Sequence, residues 1–136
     1  MTVQPMMKDK TKILIAAEGD TLGEYLFELL QDREFHASVV DTDFDPGKIL
    51  SALSSGSYGI AVLTDNNLNR DQLLDVIKVA KEKYPRVFCL ALVGSGGPDF
   101  AMQLERLNID DFIPMPFEID YFLARIEEAM QVLARR

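Results

Sequence analysis

Cysteine and histidine are nearly absent from this 136-residue sequence, with one residue of each. Cys89 has no second cysteine, so no intramolecular disulfide can staple the fold. Its neighbours Phe88, Leu90 and Leu92 place it in a buried strand, where a thiol packs as a small apolar group. His36 has no histidine or cysteine near it and reads as a surface or strand-edge residue, neither a metal ligand nor a phosphorelay histidine. Long apolar runs are missing too. The stretch Ile13 to Ala17 falls short of the roughly 20 residues of a membrane span and the about 7 of a secretory signal. A cytoplasmic chain without membrane attachment is the expectation. Positive charge is scarce: 14 Lys and Arg against 22 Asp and Glu give −8 at pH 7 and a pI near 4.6. With no basic cluster to offset it, that charge repels a phosphate backbone and argues against nucleic acid as a partner. Repeats, charge blocks and low-complexity tracts are also absent.

What remains has the length and the 48% hydrophobic content of one globular domain. A polar extension, residues 1–11, precedes a single domain over 12–136. Short apolar runs alternate with helically spaced segments, the pattern of strand–helix units around a parallel sheet. Strands are predicted at Lys12 to Ala16, Phe35 to Val40, Ile60 to Thr64, Val87 to Val93 and Asp111 to Pro114. Apolar residues at consecutive positions mark Ile60 to Thr64 as the sheet centre, covered on both faces.

The first helix opens with Thr21 and Glu24 at capping-box spacing and turns Leu22, Tyr25, Leu26, Leu29 and Leu30 to one apolar face. Asp45-Pro46 reads as an N-cap followed by proline at the first helical position, opening a short helix over Lys48 to Leu53. The third helix, Arg70 to Lys83, directs Leu73, Leu74, Ile77 and Ala80 inward and stops at Tyr84-Pro85. A fourth covers Asp99 to Leu107, and the last covers Glu118 to Leu133 with Ile119, Phe122, Leu123, Ile126, Met130 and Leu133 on one side.

In open parallel sheets functional residues gather beyond the carboxyl ends of the strands. The segments to inspect are Ala17 to Asp20, Thr64 to Leu68, Val93 to Gly97 and Pro114 to Phe117. The run Asp110-Asp111-Phe112-Ile113-Pro114-Met115-Pro116-Phe117, with the approach Tyr58-Gly59-Ile60-Ala61-Val62-Leu63, resembles the receiver domains of two-component response regulators. The similarity extends over Lys12 to Leu133. It implies a doubly wound α/β fold of the flavodoxin-like kind, a five-stranded parallel sheet in the order 2-1-3-4-5 with helices on both faces. In the family a histidine kinase passes a phosphoryl group to an aspartate at the end of strand three, assisted by a divalent ion.

The resemblance places the family's two metal-binding acids on Ala17 and Glu18, so one carboxylate remains where magnesium normally takes one or two together with phosphate oxygens. The phosphoacceptor position falls on Thr64. Asp65, one residue on, is the alternative, although a slip of one residue in a strand turns the side chain to the opposite face. The hydroxyl position after strand four falls on Val93, with Ser95 the alternative if the loop is displaced. Phe112 matches the switch aromatic. Met115 stands where the family has a lysine that pairs with the phosphoryl group, a contact an apolar thioether cannot make. The resemblance also makes the bond to Pro116 a candidate cis peptide.

These substitutions imply a signalling domain without enzymatic activity, cofactor or metal, independent of phosphorylation and acting through protein contact. The implied partners are a kinase, another receiver or an effector domain, with homodimerisation through the last two helices also plausible. A second reading keeps phosphorylation at Asp65, with Glu18 and Asp20 gathering magnesium. A third makes Gly94-Ser95-Gly96-Gly97 a nucleotide or small-molecule site at a helix start, although it lacks the spacing of a phosphate loop or a dinucleotide site. The alternating acids Asp41, Asp43 and Asp45 lack the glycine and terminal glutamate of a calcium loop and read as turn residues.

Overall fold

The apolar runs become strands because each can be buried on both sides. A computed structural model of the chain describes residues 11–16, 21–40, 45–65, 68–94 and 97–136. Five strands, β1 (Lys12–Ala16), β2 (His36–Val39), β3 (Tyr58–Thr64), β4 (Phe88–Val93) and β5 (Asp111–Pro114), alternate with five helices. These are α1 (Thr21–Asp32), α2 (Pro46–Ser55), α3 (Arg70–Lys83), α4 (Gly97–Arg106) and α5 (Ile119–Ala134). All strand pairs are parallel, in the order β2-β1-β3-β4-β5. This is the doubly wound, flavodoxin-like arrangement that the sequence implies.

Strand alternation divides the core in two. Leu14, Ala61, Leu63, Cys89 and Ala91 face α2, α3 and α4, where they meet Ile49, Leu73, Ile77 and Phe100. Ile13, Ile15, Ile60, Val62, Leu90 and Leu92 face α1 and α5, packing on Leu26, Leu30, Phe122 and Ile126. Every residue of β4 is buried. Among the described residues no helix is long and apolar enough to cross a membrane.

Several boundaries and faces differ from the sequence expectation for identifiable reasons. β3 starts at Tyr58, two residues early, because Lys12 pairs with Tyr58 while Ile13 pairs with Ile60, which inserts a bulge at Gly59. A Cβ on Gly59 would lie 2.8 Å from the Thr11 methyl, so the close approach of β1 needs glycine there. α2 is longer than expected. Asp45 caps it through Gly47 N at 2.9 Å, and the Ser54 and Ser55 hydroxyls donate back to the carbonyls three residues earlier.

Thr21 already lies within α1, and Tyr25 is 44% exposed; the buried line of that helix is Gly23, Leu26 and Leu30. On α3 the inward set is Leu73, Val76, Ile77 and Ala80, with Leu74 at its edge. The full capping box belongs to α3, where Asn69 and Gln72 exchange side-chain and backbone hydrogen bonds at 2.8 and 3.0 Å. Asn69-x-x-Gln72 carries that signature in the sequence, and the sequence reading passed over it.

Two helices end in paired back-bonds around a left-handed residue. After α1, Glu34 has φ +66°, its N–H donates to Gln31 O, and Phe35 N–H donates to Leu30 O, both at 2.9 Å. After α4, Asn108 takes the same role with φ +60°. Asparagine tolerates this region, whereas glutamate pays a steric penalty of about 1–2 kcal/mol, partly offset in glycine by its freer unfolded chain. Glu34→Gly is therefore expected to raise stability by about 0.5–1 kcal/mol in urea denaturation. A lower stability would show that the Glu34 side chain outweighs its backbone strain.

Candidate functional site

Three adjacent strands, β3, β4 and β5, end side by side, and the residues just past their carboxyl ends are Asp65, Gly94 and Met115. Backbone bonds continue the ladder into these positions: Asp65 N–H donates to Leu92 O at 3.3 Å, and Met115 N–H to Val93 O at 2.8 Å. The Asp65 carboxylate bridges across the strand ends and accepts the Gly94 N–H with both oxygens at 3.1 Å. A Cβ on Gly94 would stand 3.4 Å from the Met115 methyl and 3.7 Å from Asp65 Oδ1. Glycine thus leaves room for the Asp65 carboxylate and the Met115 methyl on the side where a Cβ would stand.

Thr64 ends β3, is 1% exposed and pairs with Leu92. The two candidates for the acceptor position therefore differ in place: Thr64 is buried within the sheet, and the half-buried Asp65 stands at its tip. Val93 closes β4, buried and without a hydroxyl. Ala17, Glu18, Asp20 and Ser95 lie outside the described residues, as do Gly96, Asp41 and Asp43. Phe112 is half-buried against the core on the α2–α4 side. With Pro98, Phe100, Pro114 and Met115 it lines an apolar cleft of about 300 Å³ beside the strand tips. The Met115–Pro116 peptide is cis, and Phe117 stacks on Phe122 with ring centroids 5.6 Å apart. His36 opens the edge strand β2 and is exposed.

The neighbouring acids of the closing segment serve two separate ion pairs. Asp110, 11% exposed, accepts from Lys81 Nζ at 2.6 Å, from the Cys89 amide at 2.8 Å and from the Arg136 guanidinium at 2.9 Å. One carboxylate thereby ties α3, β4 and Arg136, two residues beyond α5. Asp111 grips Arg125 of α5 through both oxygens, one bond measuring 2.6 Å from Nε. That bidentate hydrogen bond pushes the Arg125 pKa up and lays its guanidinium 5.7 Å from the Tyr121 ring. Burial raises the Cys89 pKa to about 11, against a smaller opposing pull from Lys81, so the thiol stays neutral and inert at physiological pH.

Sequence reading did not anticipate these partnerships or the Asp65–Gly94 bridge. The Asp110-Asp111 pair was visible as a motif, but its partners lie 14 to 29 residues away in the chain.

Magnesium needs several oxygen ligands in near-octahedral geometry. Among the described residues no group of three or more His, Cys, Asp or Glu side chains is placed to hold a metal. Asp65 is the acidic side chain at the β3 tip, and both its oxygens already face an amide.

Comparison with known proteins accords with this geometry. No family model matches the chain. A response regulator receiver domain protein, CheY-like, from Methanospirillum hungatei superposes with a TM-score of 0.81 at 14% identity, over 92% of this chain and 97% of that one. The chain therefore has the fold of response-regulator receiver domains. HP1043, an orphan response regulator of H. pylori, aligns with a TM-score of 0.75 and 21% identity over 90% of this chain and 98% of that chain. In sequence, 82 residues are 30% identical to the DNA-binding transcriptional regulator NtrC of Proteus hauseri, covering 60% of this chain. The match spans 17% of that regulator's length.

The Asp110 knot offers a direct test of how this receiver-like fold is held together. Asp110→Ala leaves Lys81 and the Cys89 amide without their acceptor, and a loss of about 2–3 kcal/mol is expected by denaturant unfolding. Asp110→Asn keeps one acceptor oxygen and should lose less. Equal losses in the two variants would show that the charge, not the amide bond, dominates.

Proposed function

We propose that this receiver domain acts in two-component signal transduction as a non-enzymatic, phosphorylation-independent module that works by protein contact. The observation that carries the reading is the occupied strand tip. The Asp65 carboxylate lies on the Gly94 amide, and the Met115 methyl borders the same glycine, offering no cation to neutralise a phosphoryl dianion. Phosphoryl transfer draws its rate from positioning and electrostatics, and loss of a single stabilising donor typically costs about 100- to 1000-fold. Thr64, the other acceptor position, offers a buried hydroxyl, which cannot form an acyl phosphate.

The contact surface in this reading is the face of α4, β5 and α5 around Phe112. Met102 at 50%, Tyr121 at 46% and Ile119 at 38% exposure supply apolar area there, and Asp111 holds Arg125 against Tyr121. A kinase, another receiver or an effector domain is the kind of partner it would meet. The same surface would serve a homodimer through α4 and α5. Sedimentation equilibrium would then give a mass that rises with concentration and falls back to the monomer value in Tyr121→Glu.

A second reading rests on Asp65 itself, a carboxylate at the tip of the central strand, where an atypical phosphoacceptor would stand. One experiment decides between them. Incubation of the protein with acetyl phosphate and magnesium, followed by intact mass spectrometry, is expected to leave the mass unchanged. A base-labile phosphoryl adduct that disappears in Asp65→Asn would overturn phosphorylation independence and establish the second reading.

A further inference from the structure

The opposite end of the sheet has a different character from the strand tips. At the amino ends of β1 and β3, Lys12, Ser57, Tyr58, Gly59, Arg86 and Arg136 line a cleft of about 350 Å³. Three of these are cationic, and among the described residues no acidic side chain lines the cleft, although the chain as a whole carries −8. Arg86 and Lys12 are exposed, and neither has an acidic partner among the described residues. Lys12 is held over the Tyr58 ring, 5.0 Å from its centroid.

Arg136 is fixed rather than free. Its guanidinium donates to Asp110 Oδ1 at 2.9 Å and to the Arg86 carbonyl at 3.1 Å. Asp110 in turn shares its charge with Lys81, so it leaves Arg136 only partly neutralised. The bulge at Gly59 breaks the regular ladder in the cleft wall. The result is a concave, locally positive site lined by two arginines and one lysine, with the Arg136 guanidinium anchored on Asp110 and the Arg86 carbonyl.

We infer that this cleft binds a small phosphate-bearing ligand. Guanidinium groups bind tetrahedral oxyanions through paired N–H donors, and a phosphate monoester near pH 7 carries about −1.5 to −2 charges, enough to engage all three cations. The cleft volume leaves room for a small substituent beyond the phosphate. A nucleic acid does not fit the same description. A polyanion would extend across the acidic remainder of the surface, whereas a single small anion senses mainly the charges within the screening length of about 8 Å at physiological salt. The cleft is remote from the strand tips, so this assignment stands whether or not Asp65 accepts phosphate.

The test is an NMR titration of the whole chain with inorganic phosphate, sodium chloride holding the ionic strength constant. Saturable shifts are expected at the amides of Ser57, Tyr58, Gly59 and Arg86, with those of Gly94 and Met115 unmoved. Arg86→Gln and Lys12→Gln should each weaken binding by about tenfold, the usual loss for one charged hydrogen bond. Both side chains are exposed, so an unchanged melting temperature will show that the variants fold. Shifts that sodium chloride alone reproduces, or an affinity unchanged in the double variant, would refute the site. Citrate binding there more tightly than phosphate would refute the phosphate assignment.

Discussion

Every residue of β4, and the run Ile60 to Thr64 of β3, is buried, with sheet neighbours at the edges and helices above and below. A strand in that position has no solvent-facing side, so two helical layers must cover it, and parallel connection requires each helix to cross over between strands. The split of the core into one set facing α1 and α5 and another facing α2, α3 and α4 follows from strand alternation alone. All five strands then point their carboxyl ends the same way. That shared direction brings Asp65, Gly94 and Met115 together without any local sequence relation among them.

The two ends of the sheet differ in chemistry. At the carboxyl end a carboxylate lies on an amide next to a thioether, beside an apolar cleft that Phe112 helps to line. At the amino end Lys12, Arg86 and Arg136 gather on an otherwise acidic molecule, with Asp110 fixing the last of them. Asp110 and Asp111 connect the halves of the closing segment to different helices, one to α3 and the other to α5. Adjacent in sequence, they alternate across the strand start and so reach opposite layers.

Much of the architecture is legible in the sequence. Runs such as Phe88 to Val93 announce fully buried strands, Asp45-Pro46 announces a helix start, and Tyr84-Pro85 announces a stop. Less legible were features that depend on a second segment. Tyr25 sits at helical spacing with Leu22 and Leu29, yet it is exposed because the stripe that meets β1 passes through Gly23 instead. The start of β3 could not be placed because the Gly59 bulge exists only in its pairing with β1.

The sequence by itself determined the order and type of the elements, the acidity of the surface and the presence of methionine rather than lysine after β5, since these are properties of single positions and their periodicity. Tertiary structure alone decided that Thr64 is buried while Asp65 caps the Gly94 amide, that Asp110 serves three donors, and that three scattered cations share one cleft. The reason is physical: charge and hydrogen-bond partnerships act over a few ångströms in space, and only the folded sheet sets those distances for residues tens of positions apart.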